Sequence, residues 1–540
     1  MNKLVIRNIK RKLNIWSVLS ILGVIMVLLP SLSIFANLLT PASENWLHIK
    51  EYLLKDYIKN SLILITFTGL FTVIIGVVLA WLVSAYEFPF KNFFKWALIL
   101  PMAIPSNIGA YTYNGMLSYT GIIQTYLRKI NVNVNYKYFD IMTIQGAVFI
   151  FTIFLFPYVY LGTKSFLEKQ SSALIENARV LGKTNLEIFF QIVLPISRVP
   201  IVGGAILVIL EVLSDFGVSS YFGINTFSTA IFTTWFGMYD LNSAIRLAGV
   251  LMIAVLGILA LEEIIRGRKR YSFSTSKITP LKPIKLQGKR MVLAVGFCSL
   301  VFLVSFLIPF IQLLIWGVKN YSSVLDYRFI RIIFNTILVT TIAALLVIIL
   351  SIIVANFSRM SSSKISKIFS KLVLLGYSIP AAVIAIGILS FVISLDRAIW
   401  GEHSTLLLSS SIIMIIFAYT IRYLGIGFNS VRSGFEKIGI KYLEASRLLG
   451  VGITKSLFHI DLKLIKGSII SGFLLVIMDI LKELPLTLIL RPFNFETLST
   501  KTYQYANDEN IQYAAVPALI IIFISIIAVL ILTKKDRRKS

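Results

Sequence analysis

Apolar stretches of about 20 residues, each long enough to cross a hydrocarbon core of ~30 Å, recur from one end of this chain to the other. That recurrence predicts an all-α polytopic membrane protein. Composition agrees: the 540 residues are 57% hydrophobic and 14% charged, with a mean hydropathy of +0.84. A soluble protein of this length would need far more surface charge. The formal net charge of +27 would point to nucleic acid in a soluble chain. Here the basic residues cluster at the edges of the apolar spans, as the positive-inside rule produces, so the expected partner is the lipid bilayer and not nucleic acid. The single Cys298 lies in an apolar run, which leaves no disulfide framework and no thiolate metal cluster.

About twelve transmembrane helices are predicted. Six lie near 16–39, 60–85, 95–117, 142–163, 200–222 and 244–265, and six near 291–317, 333–357, 370–394, 405–427, 467–489 and 512–533. The apolar run to Leu39 exceeds the ~7–15 residues of a secretory signal core, so it reads as a retained span. Three basic segments set the orientation: Met1–Trp16, the stretch 266–290 with nine Lys/Arg and no acid, and the tail from Lys534. All three are expected in the cytoplasm, which requires an even number of spans in each half. The expected organisation is a first half 1–265 with its core at 60–265, a cytoplasmic basic linker 266–290, and a second half 291–540 with its core at 333–533.

The halves repeat. Asn60-Ser61 matches Asn335-Thr336, and Ile104-Pro105-Ser106 matches Ile379-Pro380-Ala381, both 275 residues apart. Glu176-x-Ala178-Arg179-x-Leu181-Gly182 matches Glu444-x-Ser446-Arg447-x-Leu449-Gly450, 268 residues apart. The same offset pairs Glu211 with Asp479 and Asp215 with Glu483. Both halves start inside, so the repeat is parallel, with its pseudo-two-fold along the membrane normal.

The loop after the fourth span of each half, 164–199 and 428–466, is too long for a hairpin and too polar for the bilayer. Glu176 and Arg179, like Glu444 and Arg447, stand at i,i+3 and can pair on one helix face. Gly182 or Gly450 then supplies a turn that a residue with a Cβ would resist. Two short helices at an angle make a rigid projection suited to a cleft on a partner. The second copy has Lys463 where the first has Pro195, which leaves the exit into the eleventh span open.

No catalytic constellation is found. His48, His403 and His459 are isolated, without metal-ligand spacing, and no tightly bound metal is expected. Gly450-Val-Gly-Ile-Thr-Lys455-Ser456 lacks the Gly that a phosphate loop places before its Lys; Thr454 stands there. The chain is therefore expected to be no enzyme and to carry no cofactor. Ionisable groups inside a span are costly and mark function by default. Glu211 and Asp215, and Asp479 and Glu483, lie four apart and are expected to share a helix face. Carried round the pseudo-two-fold, they predict an oxygen-rich, cation-friendly constriction in the outer half of the membrane. The alternative is that they pair with Lys482, Arg246 or helix ends and fix packing.

The two loops resemble the EAA loop of ABC-importer permeases, and the resemblance covers nearly the whole chain. It implies a type I importer permease fold whose loops dock in grooves of a cytoplasmic ATPase, two copies for two loops, which bind the ATP and Mg. By that resemblance Glu176, Ala178, Gly182, Glu444, Ala445 and Gly450 transmit the ATPase stroke. The runs Leu213-Ser214-Asp215-Phe216-Gly217, Lys482-Glu483-Leu484-Pro485 and Arg491–Leu498 look like the fused permeases of periplasmic ferric-ion importers in the bacterial inner membrane. So does Tyr503–Glu509. This implies ferric iron delivered by a periplasmic binding protein. Related fused permeases resemble thiamine or phosphonate carriers, and a secondary carrier can also have six-plus-six repeats.

Overall fold

The computed structural model describes residues 15–131, 135–169, 173–266, 283–360, 364–401 and 407–537. The basic N-terminus, most of the 266–290 linker and His403 lie outside the described residues. In the first half, α1 (Ile15–Leu38) is followed by α2 (Leu54–Ala85), α3 (Ser106–Leu117), α4 (Ile144–Lys169), α5 (Ala173–Val180), α6 (Arg198–Ser214), α7 (Phe227–Phe236) and α8 (Leu241–Arg266). In the second, α9 (Gly288–Phe302) and α10 (Ile308–Val324) form one span through a π turn. After them come α11 (Tyr327–Met360), α12 (Lys364–Ser378), α13 (Ala381–Trp400), α14 (Ile412–Ile438), α15 (Lys441–Leu448), α16 (Leu462–Lys482), α17 (Pro485–Leu490), α18 (Leu498–Asn507) and α19 (Ile511–Arg537). A two-residue parallel pair, Tyr86–Glu87 with Ile284–Lys285, ties the end of the linker to the first half.

Ten helices among the described residues are long and apolar enough to cross a membrane, eleven if the bent pair Asn185–Ile196 and Arg198–Ser214 is one span. The segment expected at 95–117 is helical in three short pieces, Lys91–Ala97, Leu100–Ala103 and α3. Pro101 and Pro105 remove backbone donors there and break the run.

The repeat is visible in the packing. Helix α2 lies along α4 and α4 along α6, as α11 lies along α14 and α14 along α16. An added Cβ at Gly76 or Gly204 would come within 2.8 Å or 2.7 Å of Val159 atoms, so these glycines let α2 and α6 close onto α4. The outer helices interlock the halves: α1 packs on α11 and α13, α8 packs on α13, and α10 and α19 reach α3. Both large apolar clusters draw on both halves, one joining Leu210 and Ala248 to Ala381 and Tyr419, the other Phe151 to Ala515 and Ile522.

Candidate functional site: an acidic cavity between broken helices

Four helices break around one cavity. Helix α6 stops at Ser214, and Asp215 is extended (φ −70°, ψ 133°) before a short helix Gly217–Tyr221. Helix α16 stops at Lys482, and Glu483 is extended (φ −68°, ψ 119°) before α17. Pro105 and Pro380 make the matching breaks ahead of α3 and α13. Interrupted helices free backbone groups that lipid cannot satisfy, and such breaks persist where they line a cavity. The acids do part of that work. Asp215 Oδ1 accepts from the amides of Val218 (3.0 Å) and Ser219 (3.2 Å), and Glu483 Oε1 from the amide of Leu486 (3.1 Å).

The spacing expectation therefore needs correcting. Asp215 and Glu483 do not continue the helical face of Glu211 and Asp479, because each stands in the break just beyond its helix. The convergence holds nonetheless: all four carboxylates line one cavity of about 130 Å³.

Arg422 and Lys482 share that cavity. Arg422 is buried and donates to three elements: Nε to Glu483 Oε2 (3.1 Å), one terminal nitrogen to the Ile379 carbonyl (2.9 Å), the other to Ser214 Oγ (3.0 Å). Tyr423 Oη also donates to Glu483, and Tyr377 Oη donates to Glu211 at 3.0 Å. Lys482 Nζ donates to the Met102 carbonyl, while Arg246 is occupied by Asn242 and Thr40. The cation bound to Glu483 is thus Arg422, not Lys482 or Arg246. Asp479 accepts no side-chain hydrogen bond among the described residues. Attention confined to carboxylates passes over Arg422, yet it stands in the apolar run 412–427, where a lone guanidinium is as conspicuous as an acid. By the repeat offsets it replaces Phe154, as Lys482 replaces Ser214 and Tyr377 replaces Met102. The side chains that donate to these carboxylates, Arg422, Tyr423 and Tyr377, all come from the second half.

An apolar cluster borders the cavity through Leu484. Phe216, Leu484 and Leu488 cluster there, with Phe232 and Tyr503 packed against them. Phe216 lies 4.3 Å from Phe232 and 5.6 Å from Tyr503 between ring centroids.

At the far end stand the two loops. Gly182 and Gly450 adopt φ of +78° and +76°, so each glycine is required by its backbone, since no atom would crowd a Cβ. Each ends its helix in the same double bond pattern: Lys183 N to Ala178 O (3.0 Å) with Gly182 N to Arg179 O (3.0 Å), and Val451 N to Ser446 O (2.9 Å) with Gly450 N to Arg447 O (3.0 Å). Glu176 and Glu444 are exposed, and neither forms an ion pair with its i+3 arginine among the described residues. Ala178 is buried against the loop's own apolar cluster, and Ser446, not Ala445, takes its place in the second copy; Ala445 is exposed. The tips present apolar side chains instead, Val180 (87% exposed) and Leu181 (81%), and Leu448 (90%) and Leu449 (82%).

The loops are anchored differently. The first rests on Trp81, Ala85 and Leu167. The second is held by a buried ion pair, Arg359 to Asp461 (2.6 Å), with Arg359 also over the Phe435 ring. Their exits differ too. Asn185–Ile196 meets α6 at 70°, whereas Ile453–Lys482 runs through as one helix. Both copies contain a π turn, Phe189–Val193 and Leu457–Asp461, so Pro195 is not its cause. The bend falls at Ser197, where Pro200 withholds the amide that the Ile196 carbonyl would accept; Ser468 stands at the matching position.

A family model described as "binding-protein-dependent transport system inner membrane component" matches residues 7–261 and 347–540. The Fe(3+)-transport system permease protein FbpB 2 of Haemophilus influenzae is 26% identical over 484 residues, spanning 89% of this chain and 90% of that protein. The sulfate transport system permease protein CysT of Escherichia coli is 26% identical over 37% of this chain and 70% of its own length. The spermidine/putrescine transport system permease protein PotB of Haemophilus influenzae is 27% identical over 33% of this chain and 63% of its own. Among solved structures, a chain of a bacterial alginate ABC transporter aligns at a TM-score of 0.39 and 16% identity, covering 46% of this chain and 94% of that one.

Proposed function

The chain belongs to the binding-protein-dependent transport system inner membrane components, as a fused, duplicated permease subunit of an ABC importer, and from that premise we propose that its cargo is ferric iron. The observation that carries this is the cavity, where four carboxylates face two cationic side chains. With the acids ionised the excess is negative, and hard cations prefer oxygen ligands. Such a wall disfavours sulfate or phosphonate. A polyamine would suit the same charge, and the extent of similarity favours iron over it. The iron permease is also similar along nearly its whole length, the sulfate and polyamine permeases over about a third of this chain.

In this reading Glu211, Asp215, Asp479 and Glu483 line the passage. The loops dock on two copies of a separate ATPase that binds ATP and Mg, and both termini are cytoplasmic. A periplasmic binding protein supplies the ion from the other side. Glu176, Glu444 and Ala445 would meet the ATPase together with the apolar tips, while Ala178, Gly182 and Gly450 hold the loop in shape. ATP-driven uptake by the reconstituted complex, with Fe(3+), spermidine and sulfate offered through their binding proteins, tests the cargo. Uptake of iron alone is expected; uptake of sulfate, or of spermidine without iron, would refute it.

A further inference from the structure

The first span of each half lies on the other half, and its start approaches that half's loop. Trp16, at the start of α1, donates its indole N–H to Thr454 Oγ1 (3.2 Å) and is buried in one apolar cluster with Leu457. At the second loop an aromatic ring therefore fills the join. Helix α9 makes the corresponding approach to the first half, where Ala294 and Cys298 pack with Leu79 and Phe94. There the join is open. A cavity of about 440 Å³ separates the first loop from the start of α9. Asn185 borders it from the loop, at the position that Ile453 holds 268 residues on; Lys285, Lys289 and Arg290 border it from the other side.

Three cations converge on this cavity, and no acid lines it. Acids on the adjoining segments are committed elsewhere. Glu87, in register with Lys285 across the strand pair, binds Lys91 at 3.0 Å. Glu187, on the loop, accepts from the amide (2.8 Å) and hydroxyl (2.9 Å) of Thr184 and lies 3.4 Å from Lys183. Lys285, Lys289 and Arg290 form no ion pair among the described residues. Like charges held around one space repel unless an anion sits between them. The rest of the wall is less polar, with Tyr86, Ile284 and Leu286 half-buried along it.

A phosphate group supplies what such a wall lacks, negative charge with several acceptor oxygens. A guanidinium binds it through two parallel N–H bonds and an ammonium as a point charge. We propose that this cavity binds a phosphate group, held by Lys285, Lys289 and Arg290 with the Asn185 amide as the loop's donor. The bound group ties the first loop to the start of the second half, as Trp16 ties the second loop to the start of the first. A lipid headgroup and free phosphate present the same oxygens, and basic pockets beside membrane spans take headgroups in this way. The site is independent of the cargo.

The test uses the full chain assembled with its ATPase. Native mass spectrometry measures the retention of phosphatidylglycerol against phosphatidylcholine, and equilibrium dialysis in phosphatidylcholine nanodiscs measures inorganic phosphate. Three proteins are compared: the unaltered chain, Lys289→Gln with Arg290→Gln, and Gln287→Trp. The double neutralisation should weaken binding about tenfold or more, since hydrogen bonds to charged groups are lost. Gln287→Trp keeps all three cations and fills the cavity, and should weaken binding by a similar factor. Gln287 precedes α9 without a side-chain cap bond, and all three side chains are exposed, so Tm should stay as it was. Bound ligand should slow hydrogen exchange across 185–193 in the unaltered protein. Phosphatidylglycerol retained without phosphate binding makes the headgroup the ligand, and phosphate bound in phosphatidylcholine makes it free phosphate; either upholds the site. Phosphatidylglycerol binding that survives Gln287→Trp is general surface attraction and would overturn it. So would binding unaffected by the double neutralisation, binding of neither probe, or exchange across 185–193 unchanged by the ligand.

Discussion

Arg422 ties three elements together at the cavity and reaches across the halves. It bonds Glu483 and Ile379 in its own half and Ser214 in the other. Removing one partner of such a buried pair leaves an uncompensated charge, at a cost of about 3–5 kcal/mol. Arg422→Met and Glu483→Gln are each expected to lower Tm, and the two together to recover most of it while uptake stays lost. Asp479 differs, because it accepts no side-chain hydrogen bond to be broken. Asp479→Asn should leave Tm unchanged or raised while slowing uptake. If instead Tm falls as far as in Glu483→Gln, this acid is a packing residue and not part of the passage. The repeat alone would treat Asp215 and Glu483 alike. What separates them is a guanidinium at a position where the first half has Phe154.

At the scale of elements, the two loops are copies with different joints. Pro200 withholds a donor at the first exit that Ser468 keeps at the second, so Pro200→Ser should let the helix run through and straighten the joint. The expected outcome is weaker stimulation of ATP hydrolysis by the loaded binding protein with Tm unchanged or higher. Pro195→Lys should do much less, since the π turn beside it recurs without a proline. Equal losses from the two changes would refute this assignment of the bend. The second loop should respond to its ion pair instead. Asp461→Asn is expected to speed hydrogen exchange across 441–461 and leave 173–196 protected. Arg359→Met with Asp461→Leu should restore protection, because a well-packed apolar pair can replace a buried ionic one.

Across the whole molecule, each half is incomplete. Helices α1 and α8 lie on the second half, α10 and α19 reach the first, and the acidic cavity draws its walls from both. Two chains cut between 267 and 282 should co-purify and retain uptake when expressed together, and neither should be stable alone. A stable first half by itself would contradict the interlocked packing. The division of charge, a basic-walled cavity lined by Arg328, Arg331 and Arg491 on one side of the apolar cluster and the acids on the other, also belongs to this scale, since no single helix contains it.

By itself the sequence determined what depends on short stretches of chain. Runs of apolar residues set the helical spans, and the basic segments between them predict their orientation. The shared Glu-to-Gly spacing marked the two loops, and Gly182 and Gly450 carry their turns because φ near +77° is a local backbone demand. Even the convergence of four acids was legible, since a repeat copies its own geometry. The tertiary structure alone decided which partners those acids have. Arg422 meets Ser214 across 208 residues of chain, and Lys482 meets Met102 across 380. It also decided that Asp215 and Glu483 stand in breaks rather than on helices, that Ala178 and Ser446 are buried while Ala445 is exposed, and that the bend falls at Ser197. Pairings at such separations are fixed by how packed helices are placed against one another, and hydropathy carries no record of that placement.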